Sequence, residues 1–141
     1  VNEGITLTRL PYDDSAWHVE VCASGGTYSA AQEFYVYPTD LAEFGQRLTA
    51  FPQRIGDEVR YEIGGRTENW AHYLLLRAFI YDSVGHAALE FAADNRCGVP
   101  GHAQARFFIC CEVAALNRLG KQLQAWTLDS DEPLNWNPRN A

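Results

Sequence analysis

The sequence predicts an α+β domain: an antiparallel sheet of about six to seven strands with two helices on one face. Three observations predict it. Period-two apolar alternation recurs along the 141 residues, two amphipathic helical stripes interrupt it, and the second half repeats the order of elements of the first.

Trp17, Val19, Val21 and Ala23 alternate with His18, Glu20 and Cys22, as a half-buried strand requires. Ser24-Gly25-Gly26-Thr27 supplies a turn. The return strand runs through Phe34, Val36 and Tyr37 and stops at Pro38, which has no N–H to give a ladder. A helix follows, in which Leu41, Phe44, Leu48 and Phe51 form one apolar stripe. Asp40 and Glu43 have the spacing of a capping box, and Pro52 closes the helix. Glu58 to Ile63 alternates again and ends at Gly64-Gly65. A longer strand covers His72 to Asp82, with Leu74, Leu76, Ala78 and Ile80 assigned to the core. Ser83-Val84-Gly85 turns the chain into a strand from His86 to Asp94, and Asn95 to Gly101 forms an exposed loop. Ala105, Phe107, Ile109 and Cys111 line the last strand; Val113, Leu116, Leu119, Leu123 and Trp126 mark the second helix.

The two helices align, Leu41–Phe51 over Leu116–Trp126, with Gly45 and Gly120 at matching positions. A glycine in a helix interior costs about 1 kcal/mol against alanine, so a matched pair points to close approach of the backbone to a neighbour. The domain is expected to span 1–127, with pseudo-repeats at about 5–51 and 58–126, and residues 128–141 to form an acidic, mobile tail that only Trp136 could pin.

Hydrophobic residues make up 47% and charged residues 21%, which excludes wholesale disorder. No apolar run approaches the ~18 residues of a membrane span. The start, Val1-Asn2-Glu3-Gly4, predicts no signal peptide. Eighteen acids against 11 bases give a net charge of −7. That balance argues against a nucleic-acid partner and permits a basic protein partner. Four cysteines lie outside any CxxC pair, and the four histidines show no zinc spacing with them. Free thiols in a reducing cytoplasm, with no metal and no cofactor, is the expectation.

Opposite the core, the strands present His18, Glu20, Glu33, Tyr35, Tyr37, Arg60, Arg77, Tyr81, His86, Glu90, Arg106 and Phe108. Tyr and Arg are the residues of binding hot spots, so His18, Glu20, Tyr35, Tyr37, Arg60, Arg77, Tyr81, His86, Glu90 and Arg106 are the candidate binding residues. A solvated face laced by cross-strand Arg–Glu pairs is the alternative. His18 and His86 follow acidic turns (Asp13-Asp14 and Asp82) and could bind a metal or exchange protons, yet a duplication copies such a pair without any function. Asp82-Ser83-Val84-Gly85-His86 does not make a triad by adjacency, and no phosphate-binding glycine loop is present. No catalytic residue is assigned, and binding rather than catalysis is expected.

Leu41-x-x-Phe44-Gly45-x-x-Leu48, the strand ending Tyr81-Asp82 before Gly85-His86, and the final strand running into a leucine-rich helix extend a pattern from Leu7 to Trp126. It resembles a group of small bacterial proteins that includes domains of unknown function and immunity proteins of polymorphic or contact-dependent toxin systems. The resemblance implies a non-enzymatic module that binds and neutralises a toxin, a basic one suiting the acidic chain. Two alternatives stand beside it: a small-molecule-binding domain or enzyme using the same open face, and a homodimer whose interface covers that face.

Overall fold

The computed structural model describes residues 3–11, 16–64 and 72–139. Element order is β1 (Gly4–Leu10), β2 (Trp17–Ser24), β3 (Ser29–Val36), α1 (Pro38–Thr49), β4 (Glu58–Ile63), β5 (Tyr73–Ile80), β6 (Ala87–Asp94), β7 (Gln104–Cys111), α2 (Val113–Leu128) and β8 (Leu134–Trp136). The α+β class holds. The strands divide between two four-stranded antiparallel sheets, β3-β2-β1-β8 and β4-β5-β6-β7, instead of joining in one. The cause is local: α1 carries the chain away after β3, so β4 starts a new sheet. The expected turns at Asp13-Asp14 and at Gly65 lie outside the described residues.

Each strand follows the alternation of its sequence. In the first sheet Ile5, Leu7, Val19, Val21, Phe34 and Val36 are buried, and in the second Val59, Leu74, Leu76, Ala78, Leu89, Phe91 and Ile109 are. These residues join the stripes of both helices in one core. Tyr61 ties the parts together, its ring centroid 6.4 Å from that of Phe34 on the first sheet and 5.6 Å from that of Phe44 on α1. Trp17 meets Trp126 of α2 edge-on at 5.5 Å.

Helix α1 begins at Pro38 with Tyr37 as its N-cap and makes no side-chain capping bond. The capping box anticipated at Asp40 is therefore not used. Proline at the first helical position presets φ and lacks one N–H that would need a partner, and Asp40 acts instead on the positive end of the helix dipole. At the other end Asn117 of α2 donates to Leu48 O and Phe51 O at 2.9 Å, satisfying carbonyls that α1 cannot.

The matched glycines meet each other. A β-carbon on Gly45 would lie 2.8 Å from Gly120 O, and one on Gly120 would lie 2.6 Å from Thr49 N. Only hydrogen fits at this crossing.

The segment expected as a mobile tail carries β8, which pairs antiparallel with β1 (Ile5 opposite Trp136, Leu7 opposite Leu134). Leu134 and Trp136 are buried, and Trp136 Nε1 donates to Ala115 O at 2.8 Å. Trp126 Nε1 reaches Glu132 O at 2.8 Å, so this stretch is held from both sides of the core.

Two outcomes follow for stability. Gly120→Ala is expected to lower the unfolding free energy by roughly 1–3 kcal/mol through overpacking, despite the better helix propensity of alanine, as measured by urea denaturation. Trp136→Ala is expected to cost about 3–5 kcal/mol, the range for emptying a large aromatic site; a melt unchanged from wild type would mean that β8 does not belong to the cooperative unit.

Candidate binding face of the second sheet

Register fixes what the outer face of the second sheet presents. Arg60, Arg77, Glu90 and Phe108 stand in one row across β4, β5, β6 and β7; Glu58, Phe79, Ala88 and Cys110 form the next; Glu62, Leu75, Ala92 and Arg106 form the third. The central strand β6 contributes Ala88, Glu90 and Ala92 to this side, and all three are buried because the longer side chains of β5 and β7 overhang them. The small alanines set the geometry: Phe79 and Phe108 reach across Ala88 and meet edge-on at 5.9 Å.

Glu90 is only 2% exposed, although it faces outward. Its carboxylate accepts Arg77 Nε at 2.6 Å on one oxygen and Arg106 Nε at 2.5 Å on the other. Burial pushes this carboxyl up, and the two arginines overcome that push, leaving its pKa below the ordinary carboxylate value. Arg77 also reaches Glu58 at 3.2 Å, and Arg60 lies 3.4 Å from Glu58 and 3.5 Å from Glu62. Each of these three arginines is thus tied to a carboxylate of the same face. Arg77 lies 4.0 Å over the centroid of Phe79, and Arg106 lies 5.3 Å over that of Phe108.

At one end of the face, Asp82 accepts the N–H groups of Val84 and His86 and holds His86 Nδ1 at 2.5 Å. This hydrogen bond raises the histidine's pKa above its ordinary value, and the ring stacks on Tyr81 at 6.1 Å. At the other end Tyr73 donates to Glu62 at 2.6 Å, with Arg96 above its ring at 5.7 Å.

The ten candidates named from sequence do not share one face. Arg60, Arg77, Tyr81, His86, Glu90 and Arg106 come together on the second sheet. His18, Glu20 and Tyr35 lie on the outer face of the first, where His18 stacks on Tyr35 at 4.5 Å and meets Glu33 at 2.8 Å. Tyr37 stands alone at the start of α1. The symmetric pair of histidines is therefore divided between two sheets and makes no common site. Phe79, Tyr73 and Arg96 were not among the candidate binding residues. The first two share the parity of Arg77 and Tyr81 and were legible; Arg96 lies in a loop and left no periodic signal. Among the described residues, no three His, Cys, Asp or Glu side chains come together in a way that could hold a metal, and no helix is long and apolar enough to cross a membrane.

The chain has likenesses among plant protein structures. WHY3 from Arabidopsis thaliana matches with a TM-score of 0.49 and 11% identity, covering 90% of this chain and 82% of that one. WHY1 from Arabidopsis thaliana matches with a TM-score of 0.49 and 12% identity over 90% and 85%. The plant transcriptional regulator PBF-2 matches with a TM-score of 0.45 and 10% identity over 88% and 75%. No family model and no curated protein sequence matches the chain. None of these structures is an immunity protein of a toxin system, so that resemblance is corrected, and with it the reading as a toxin-neutralising, protein-binding module and the basic toxin as partner. The exclusion of nucleic acid is corrected too. It rested on net charge alone, while Arg60, Arg77, Arg96 and Arg106 gather on one sheet face.

Glu90→Gln is expected to destabilise the fold by on the order of 1–3 kcal/mol at neutral pH, toward the lower end because Arg106 can swing into water. Because Glu90's native pKa is depressed, its contribution is present above about 4.5, the ordinary value, and is lost as the pH falls through the lower native one. Urea midpoints of wild type and variant should therefore converge on acidification; a gap that stays constant down to pH ~2 would contradict the ion-pair account.

Proposed function

We propose that the chain is a non-enzymatic nucleic-acid-binding domain that lays a single strand along the outer face of the second sheet. The observation that carries this reading is the pair of guanidinium-on-ring stacks, Arg77 on Phe79 and Arg106 on Phe108, side by side on one outward face. Unpaired bases stack on aromatic rings and on arginine planes, and single-strand sites combine such platforms with cations that track the backbone. In a chain of net charge −7, this face gathers Arg60, Arg77, Arg96 and Arg106 from a total of 11 basic residues.

Glu58, Glu62 and Glu90 sit among these arginines and offset much of their charge. Stacking therefore supplies more of the affinity than phosphate neutralisation does, and binding should depend weakly on salt. A duplex, whose base faces are already stacked, has little to offer such a platform. The four cysteines form no disulfide, which fits a reducing compartment such as the cytoplasm.

Fluorescence anisotropy with a labelled single-stranded DNA of about 12–20 nucleotides, near the upper site size of a small module, tests this directly. Phe108→Ala should weaken binding by about 1–3 kcal/mol, roughly 5- to 150-fold, with a salt slope shallower than about −3. Equal affinity for duplex and single strand, or no loss in Phe108→Ala, would end this reading.

A further inference from the structure

His86 stands where the outer face of the second sheet runs into the Asp82 turn. It lies two residues before Ala88, on the outward parity of β6, and Tyr81 lies two residues after Phe79 on that of β5. Tyr81 N–H donates to His86 O at 3.0 Å, which sets the two residues side by side, about 7 Å further along the strands than Phe79. A nucleic-acid strand lying over Phe79 and Phe108 reaches this pair next. The His86 side chain is 48% exposed there.

The turn decides which ring nitrogen can meet a ligand. Asp82 Oδ1 accepts the N–H groups of Val84 and His86 at 3.0 and 2.9 Å, and Oδ2 holds His86 Nδ1 at 2.5 Å. The bond from the His86 ring, helped by those of the two backbone N–H groups, keeps the Asp82 carboxyl below its ordinary value, so it is ionised and only accepts. Nδ1 therefore carries a hydrogen in both charge states of the ring. The whole change on titration falls on Nε2, which is a lone pair in the neutral ring and an N–H donor in the imidazolium. A phosphate oxygen is repelled by the first and bound by the second. Protonation also takes the Asp82–His86 pair from one net negative charge to neutral.

We infer that His86 Nε2 is a phosphate contact of the bound single strand, made when the imidazole is protonated and absent when it is neutral. The inference rests on the function proposed above. The groups around the ring are Tyr81 on β5, Asp82 in the turn, and Glu112 after β7, with Cys110 beyond the Tyr81 hydroxyl. Asp82, and to a lesser degree Glu112, raise the histidine above its ordinary 6.5, while the Tyr81 hydroxyl is raised from 10 and stays protonated. The contact is therefore present at acidic pH and is lost as the pH rises through the raised value of His86, above 6.5.

Fluorescence anisotropy with labelled (dT)12 at about pH 6 and about pH 8.5 brackets this transition. Wild type should bind roughly two- to fivefold tighter at the lower pH, the worth of one exposed charged contact. His86→Gln should bind alike at both, at the weaker level, and His86→Lys alike at both, at the tighter level. His102→Gln, which removes the histidine paired with Asp94 at the opposite end of β6, should keep the wild-type dependence. Unaltered melting temperatures confirm that the variants are folded; in wild type itself, the His86 pKa followed by NMR should rise when (dT)12 is added. Strand binding without pH dependence, a dependence that survives His86→Gln or vanishes in His102→Gln, or a His86 pKa unmoved by the strand overturns the contact and leaves the platform standing. No binding of (dT)12 at either pH overturns the platform, and the contact with it.

Discussion

Where α1 and α2 cross, the α-carbon of Gly120 lies against the backbone of Gly45 and Thr49, and Thr49 Oγ1 bridges Gly45 O at 2.9 Å to Gln124 Oε1 at 3.3 Å. This contact locks the two helices into one unit. Each half of the chain sends a helix to the same place, and both sheets bury their inner faces on the pair. Larger side chains at the crossing would push the helices apart and open the seams that Trp126, Tyr61 and Phe44 now fill. The order β-sheet, helix, β-sheet, helix thus gains its three-dimensional meaning from two missing methyl groups.

With the helices fixed behind it, the second sheet has one side committed to the core and one side that its own side chains must organise. Strand β6 does this. Its inward residues Leu89 and Phe91 are fully buried, while its outward alanines are small enough for neighbours to close over Glu90. A buried carboxylate costs several kcal/mol in desolvation unless its partners are well placed, and two Nε donors at 2.6 and 2.5 Å provide them. The result fixes the orientation of Arg77 and Arg106, a preorganisation that, for the function proposed, lowers the entropy cost of binding.

Much of this was legible from the residues. Period-two alternation located β2 to β7, and the inward assignment of Leu74, Leu76 and Ala78 agrees with their burial. The glycine pair pointed to a close approach that proved to be helix on helix. What sequence could not reveal was partition: alternation shows which side of a strand is apolar, but not which strands share a sheet. One face was therefore read where there are two, and His18 and Tyr35 were grouped with residues of the other sheet. The short β8 escaped because three residues carry too little periodicity, although its buried Trp136 was visible as an oddity in an acidic segment. Net charge is uninformative for a related reason. A sum over the chain says nothing about where arginines gather, and four of them gather on one sheet face.

The central claim is that the outer face of the second sheet is where this protein meets its ligand, and amide chemical-shift mapping by NMR tests it most directly. On titration with a short single-stranded DNA, the account predicts shifts confined to β4, β5, β6, β7, the loop that carries Arg96 and the Asp82–His86 turn, with the β2–β3 face of the first sheet unmoved. Shifts centred on His18, Glu33 and Tyr35, or none at saturating DNA, would contradict it.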